Sequence, residues 1–204
     1  MITGRKELFS VLFAILGAHI LLNFAFDDKD IFWYMFSGSA LVLISVAVLN
    51  GRVQDELPAL KFLLYGVVSG IVLYACFFVG YHIIDLIQPS MTKDVTKLYK
   101  NYAPQNIWQY IALILFVIPG EEIFWRGFVF AKLRTQYSVW YCMIASSALY
   151  ASVHIYSDMW VLVFAAFVAG LFWSFLYYWK KSMPLLIVSH LVFDILLFWV
   201  YPLQ

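Results

Sequence analysis

The 204-residue chain has little charge, few cysteines and no repeated or low-complexity segment. Only 12% of its residues are Asp, Glu, Lys or Arg, against about 25% in soluble domains, so an ordinary soluble domain is excluded. The formal net charge of +1 excludes the strongly basic surface that nucleic-acid binding requires. Cys76 and Cys142 lie in separate apolar runs without metal-type spacing, and we interpret both as small buried side chains.

Apolar residues make up 64% of the chain, and its mean hydropathy is +0.85. They form seven runs, at about 7–26, 31–49, 59–87, 106–135, 139–156, 160–179 and 184–201. Runs of about 17–25 apolar residues can cross a lipid bilayer as helices. The sequence therefore predicts an all-α, polytopic transmembrane helix bundle of about seven spans, which is a single membrane domain over residues 1–204. The first run is longer than the apolar region of a signal peptide, so we expect a retained span.

The distribution of Lys and Arg between the runs predicts the orientation of the bundle. With the N-terminus inside, the inner loops carry eight of these residues and the outer loops carry four. The inner set is Arg5, Lys6, Arg52, Lys61, Lys132, Arg134, Lys180 and Lys181. Because positive charge is retained on the inner side of membranes, we expect an integral multi-pass protein with its N-terminus inside. The short chain, without eukaryotic sorting signals, favours a bacterial plasma membrane.

The segment IPGEEIFWRGFVF, residues 118–130, sets two carboxylates and an arginine inside an apolar run. A charged side chain at the centre of a membrane helix costs about 2.5–3.5 kcal/mol. These three residues and the later Asp194 would together cost about 10 kcal/mol without partners, which is comparable to the stability of a whole domain. They must therefore face one another, water or a cavity inside the bundle.

Helical spacing predicts different surroundings for the two glutamates. Glu122 and Arg126 are four residues apart, share a helix face and can form an ion pair. Glu121 is rotated by about 100° from Glu122 and has no partner on its own helix. Its carboxylate is therefore available as a general base.

Two other pairs of polar residues have the same spacing. Tyr150 and His154 are four residues apart in the fifth run, and His190 and Asp194 are four residues apart in the seventh. Each pair projects from one helix face, so both pairs can meet Glu121 inside the bundle.

Other polar and small residues are interpreted as structural. A lone histidine on an apolar face is usually satisfied by its neighbours, and this applies to His19 and His82. Gly66 and Gly70 form a G-x-x-x-G pattern, which is typical of close contacts between membrane helices.

The three polar motifs, in their order along the chain, resemble those of one family. They are E-E-x-x-x-R at Glu121, Glu122 and Arg126, aromatic-x-x-x-H at Tyr150 and His154, and H-x-x-x-D at His190 and Asp194. This set resembles the CAAX protease and bacteriocin-processing family, also called the Abi family, whose members are multi-helix intramembrane proteases. The resemblance covers about residues 105–204, as a catalytic core, and residues 1–104 match only as additional transmembrane helices.

The resemblance implies an intramembrane endopeptidase that hydrolyses a peptide bond of a membrane-associated protein or peptide. CAAX processing, bacteriocin processing and self-immunity are the roles found in the family. Glu121 resembles the carboxylate that activates a water molecule, assisted by His154. His190 and Asp194 resemble the pair that holds the developing oxyanion. The supporting residues are Glu122, Arg126 and Tyr150.

The family implies two mechanisms, and the residues leave both open. Glu121, His154 and His190 would form a His₂Glu set, a known catalytic zinc arrangement with a fourth position for water. Without a metal ion, Glu121 would act as the base and His190 would donate a hydrogen bond to the oxyanion.

Two residues depart from the family pattern. Tyr150 stands where phenylalanine is common, and we expect this difference to matter little. Asp194 stands where the prenyl-protein proteases usually carry asparagine. An ionised carboxylate would repel an oxyanion, so we expect Asp194 to orient His190 instead.

Two other functions agree with the same residues. A non-catalytic membrane immunity or regulatory protein would keep the protease scaffold, and its function would survive Glu121→Gln. A proton or ion pathway would also place Glu, His and Asp inside the membrane, but the sequence lacks the inverted repeat of many transporters.

Overall fold

The computed structural model describes residues 2–50 and 53–203, without the side chains of residues 2–6 and Met91. The helices are α1 (Ile2–Asp27), α2 (Phe32–Asn50), α3 (Ala59–Ile87), α4 (Ser90–Tyr102), α5 (Ile107–Leu133), α6 (Val139–Ser152), α7 (Trp160–Lys180) and α8 (Met183–Val200). These described residues form no β-strand beyond a single bridge between Asp55 and Ser182. The predicted all-α helix bundle is confirmed.

Within the described residues, six helices are long and apolar enough to cross a membrane: α1, α2, α3, α5, α7 and α8. The remaining predicted span, 139–156, differs from the expectation. There α6 has only 14 residues and continues as a 3-10 turn, Val153–Ser157. Asp158 then adopts a left-handed backbone conformation with φ of 56°, which a right-handed helix cannot continue.

Large apolar side chains cover the outside of the bundle. Leu49, Leu86 and Trp160 are 83%, 84% and 76% exposed, respectively. Such a surface suits lipid tails and not water, so this is an integral membrane protein. Cys76 lies on this surface, and the prediction of its burial is wrong because most of α3 faces away from the bundle. Cys142 is buried, as predicted.

The glycine pattern of α3 packs against α8, as predicted. A methyl group at Gly70 would lie 2.5 Å from the carbonyl oxygen of Ser189. One at Gly66 would lie 2.7 Å from the Cβ of Val188. Glycine therefore permits an approach of the two backbones that any side chain would prevent. This contact fixes the part of α8 that carries His190.

Helix α5 lies in the centre of the bundle, where it contacts α2, α6 and α8. It contains two π-helical segments, Leu113–Val117 and Ile123–Phe130, on either side of the glutamate pair. The first segment ends two residues before Pro119, whose missing N–H interrupts the regular hydrogen-bond pattern. Such π-helical turns are frequent at functional sites, because they change the direction of the side chains that follow.

The predicted orientation depends partly on side chains that lie outside the described residues. Arg52 lies outside the described residues, as do the side chains of Arg5 and Lys6. The orientation with the N-terminus inside therefore stays a prediction.

Candidate active site

Five polar residues of the three motifs line one cavity of about 150 Å³ inside the bundle: Glu121, Tyr150, His154, His190 and Asp194. Helices α5, α6 and α8 and the 3-10 turn contribute these side chains. The fold thus brings together groups from three separate apolar runs.

Glu122 lies behind the cavity, in a buried cluster of charges. Its Oε1 accepts hydrogen bonds from Nη1 of Arg126 at 3.1 Å and from Nδ1 of His190 at 2.8 Å. Glu122 is 0% exposed and Arg126 is 1% exposed. The ion pair expected from the spacing is therefore present. The contact with His190 was not expected, because spacing within one helix says nothing about a partner on another.

Aromatic rings surround the guanidinium group of Arg126. It lies 4.7 Å from the ring centre of Tyr150 and 5.4 Å from that of Trp173. Such cation–π contacts partly replace the hydration that the charge loses on burial. Among the described residues, Nη2 of Arg126 and Oε2 of Glu122 have no hydrogen-bond partner. The pair is thus buried and only partly satisfied by hydrogen bonds among the described residues, so the stability of the protein depends on both charges being present.

Glu121 has its hydrogen-bond partner on another helix. The hydroxyl of Tyr150 donates a hydrogen bond of 2.8 Å to its Oε2. This contact differs from the expectation that a tyrosine in place of phenylalanine matters little. The sequence contained a hint of this contact, since tyrosine has a hydroxyl that can donate to a carboxylate and phenylalanine does not. Only the packing of α6 on α5 shows that the hydroxyl of Tyr150 does so.

His154 lies in the 3-10 turn and is buried. Its Nδ1 is 3.0 Å from the carbonyl oxygen of Tyr150. A carbonyl oxygen only accepts hydrogen bonds, so Nδ1 carries the hydrogen and Nε2 of the neutral ring is an acceptor. His154 therefore offers the cavity a nitrogen that can accept a hydrogen bond.

His190 is held by Glu122 and by the ring of Trp173. Besides the bond from Nδ1 to Glu122, its ring stacks on Trp173 with centres 3.9 Å apart. Trp173 in turn donates from Nε1 to Oγ of Ser189 at 3.2 Å. Nε2 of His190 lies 3.6 Å from Asp194 Oδ2 and 3.9 Å from Glu121 Oε2. These distances are longer than hydrogen bonds, so Glu122 holds the ring more closely than Asp194 does.

Aromatic residues from outside the predicted core complete the cavity wall. Phe32 and Trp33 of α2 and Tyr102 of α4 line it opposite the polar groups. The hydroxyl of Tyr102 donates to the carbonyl oxygen of Ser157 at 3.5 Å. Burial raises the pKa of Tyr102, so the hydroxyl remains a donor at physiological pH. The aromatic abundance did not predict this placement.

A second cavity, of about 240 Å³, lies beside the first. Its lining is almost entirely apolar, and the two cavities share Phe77, Leu98 and Leu197 among their walls. Helices α3, α4 and α7 enclose it together with the end of α8. The site therefore combines a polar centre with a large adjoining apolar space.

Within the described residues, no group of three His, Cys, Asp or Glu side chains is placed to hold a metal ion. Of the expected ligands, His190 directs Nδ1 to Glu122 and has Nε2 3.9 Å from Glu121. The zinc site stays a prediction.

Fold and site together define a class: a polytopic helical membrane protein with a buried acid–histidine site. Residues 103–196 match the family model described as Type II CAAX prenyl endopeptidase Rce1-like. The match covers the segment that carries all three motifs, so the predicted resemblance is confirmed there and a membrane protease is supported. Comparison with curated proteins gave no match, and comparison with solved structures gave none either.

Proposed function

We propose that this protein is an intramembrane endopeptidase in which Glu121 activates a water molecule for attack on a peptide carbonyl. The observation that carries the proposal is the convergence of Glu121, His154 and His190 on one buried cavity. The match of residues 103–196 to the model of a protease family supports the same function.

In this mechanism Glu121 is the general base. Tyr150 donates to one carboxylate oxygen, and the other oxygen takes a proton from water as the water oxygen attacks the carbonyl carbon. Nε2 of His154 accepts a hydrogen bond from the other O–H of the water and so fixes the direction of the water. Glu121 then passes its proton to the amide nitrogen as the C–N bond breaks and the oxyanion reforms a carbonyl, which leaves a free amine and a carboxyl group.

His190 stabilises the oxyanion that forms on the carbonyl oxygen. In its cationic form it donates from Nε2 to the oxyanion while Nδ1 donates to Glu122. Stacking on Trp173 keeps the ring direction fixed before the substrate arrives. Asp194, 3.6 Å from Nε2, acts on His190 and not on the substrate, because two negative charges would repel each other.

The adjoining apolar cavity suits a substrate with a bulky apolar group next to the scissile bond. Its volume is about 240 Å³ and its lining is almost entirely apolar, so it offers such a group an apolar binding site. An isoprenoid chain and a cluster of large apolar side chains share this chemistry.

We also propose that the enzyme lies in the bacterial plasma membrane, with its N-terminus inside.

The test is cleavage of fluorogenic peptides by the purified protein in liposomes. Three peptides separate the substrate sources: one with an isoprenoid thioether, its unmodified counterpart, and an apolar leader-type sequence. Glu121→Gln keeps the size of the side chain but removes the base, so cleavage should stop. The matched control is Glu7→Gln, because Glu7 pairs with Lys132 away from the cavity. Cleavage that persists in Glu121→Gln would refute the mechanism, and peptide binding without cleavage by the wild type would favour the non-catalytic alternative.

A further inference from the structure

We propose that His19 of α1 is a positioning residue that holds His154 in its reactive orientation. His19 lies outside the family-matched segment 103–196, so the proposal gives the N-terminal part of the chain a role in the site. It rests on the proposed function only through the role of His154.

One imidazole ring spans the turn that carries His154. Nε2 of His19 lies 3.2 Å from Oγ of Ser152, two residues before His154. Nδ1 of His19 lies 3.0 Å from the hydroxyl of Tyr156, two residues after it. Helix α1 is thus hydrogen-bonded to the chain on both sides of His154, which lines the cavity.

The direction of each hydrogen bond follows from the partners. Ser152 donates its single hydroxyl hydrogen to the carbonyl oxygen of Leu149 at 2.7 Å. Oγ must therefore accept the hydrogen bond from Nε2–H of His19. In the neutral ring Nδ1 is then an acceptor, which takes the hydroxyl hydrogen of Tyr156. A neutral imidazole satisfies both partners at once, and an apolar side chain satisfies neither.

The local structure explains why the turn needs this support. Helix α6 ends at Ser152, and Val153–Ser157 is a 3-10 turn, whose hydrogen bonds have poorer geometry than those of an α-helix. The bond from Nδ1 of His154 to the carbonyl of Tyr150 bridges this junction. The length of this hydrogen bond therefore depends on the angle between the turn and α6. A displacement of a catalytic group by about 1 Å can lower the rate by about 100-fold.

The first test reads the ring nitrogens directly by NMR of protein labelled with ¹⁵N in its histidine rings. The sequence has four histidines, so single His→Gln variants assign every signal. In the wild type we expect His19 to carry its hydrogen on Nε2 and His154 on Nδ1. In His19→Leu we expect the His154 signals to shift towards a mixture of tautomers. His19→Gln keeps a donor and an acceptor, so it should restore them at least in part.

The matched control is His82→Leu, because His82 is exposed and contacts the rings of Phe78 and Tyr81. It should leave the His154 signals unchanged. If His19→Leu does not fold, Ser152→Ala and Tyr156→Phe each remove one of the two bonds without altering α1, and each should produce part of the shift. Unchanged His154 signals in a folded His19→Leu protein, or in both of these single variants, would overturn the proposal.

The second test is kinetic. We expect His19→Leu to lower kcat by roughly ten- to a hundredfold with little change in KM, because the substrate does not contact His19. His19→Gln should recover part of kcat, which general destabilisation would not explain. A rise in KM at constant kcat would contradict the positioning role. If the wild type shows no cleavage, the proposed function fails, while the NMR test of His19 still stands.

Discussion

Oε1 of Glu122 lies 2.8 Å from Nδ1 of His190, although 68 residues separate the two in the sequence. The same oxygen accepts a hydrogen bond from Arg126. Glu122 is therefore both half of a buried ion pair and the group that orients His190. These two roles can be separated by experiment, since one concerns stability and the other concerns the reaction.

Arg126→Met should lower the free energy of unfolding by about 3–5 kcal/mol, because it leaves the carboxylate of Glu122 buried without its cation. The double variant Glu122→Leu, Arg126→Met should recover most of this loss, since it removes both buried charges. Thermal unfolding of the detergent-solubilised protein measures both effects. A single variant as stable as the wild type would show that the pair is not needed.

The same double variant should not cleave the peptide, although it recovers most of its stability, because Nδ1 of His190 has lost its acceptor. Peptide cleavage at a temperature where the protein is fully folded is the measurement. Cleavage at the wild-type rate would show that Glu122 does not orient His190. This outcome would leave the stability prediction unaffected.

Tyr150→Phe should reduce kcat by about tenfold or more while the protein stays folded. It removes only the hydroxyl that donates to Glu121, and hydrogen bonds to charged groups contribute about 1.5–3 kcal/mol. The control is Tyr177→Phe, whose hydroxyl accepts a bond from the backbone of Gln54 instead. The measurement is the steady-state kcat of both variants. If both variants keep the wild-type kcat, Tyr150 contributes only packing.

Gly70→Ala should lower the free energy of unfolding by about 1–3 kcal/mol, because the added methyl group meets the carbonyl oxygen of Ser189 at 2.5 Å. Gly80→Ala, on the same helix, has no atom within 4 Å of its added methyl group. It should be neutral or stabilising by up to about 1 kcal/mol, since alanine favours helices. Thermal unfolding compares the two, and equal midpoints would show that α3 and α8 can separate without cost.

Chelation provides a test of the reaction type. The placement of Glu121, His154 and His190 does not form a three-ligand site, so cleavage should persist after treatment with a strong chelator. Elemental analysis of the wild type beside Glu121→Ala and His190→Ala gives the independent reading. About one zinc ion per chain that is lost in both variants would reverse this expectation and assign a metal-assisted reaction.

Much of the architecture could be predicted from the sequence. Long apolar runs can satisfy their backbone hydrogen bonds in lipid only as helices or closed barrels, and their length fits helices. The exception is 139–156, where a run long enough to span ends as a helix at Ser152. Hydropathy does not report the 3-10 turn or the left-handed Asp158, because it measures the polarity of side chains and not the conformation of the backbone.

The candidate site divides in the same way. Spacing of four residues placed Glu122 with Arg126, because neighbours on one helix face follow from helical geometry alone. It could not place Glu122 with His190, Tyr150 with Glu121, or His19 with the turn around His154. Those contacts join different helices.

The sequence by itself determined that the chain lies in a membrane, that it is helical, and which few polar residues need partners there. A charge in an apolar run is costly wherever the helix goes, so its need for a partner is readable without the fold. Only the tertiary structure decided which residues are the partners of these polar side chains. The distance between two side chains on separate helices depends on how those helices pack, and that packing depends on close contacts such as Gly70 against Ser189.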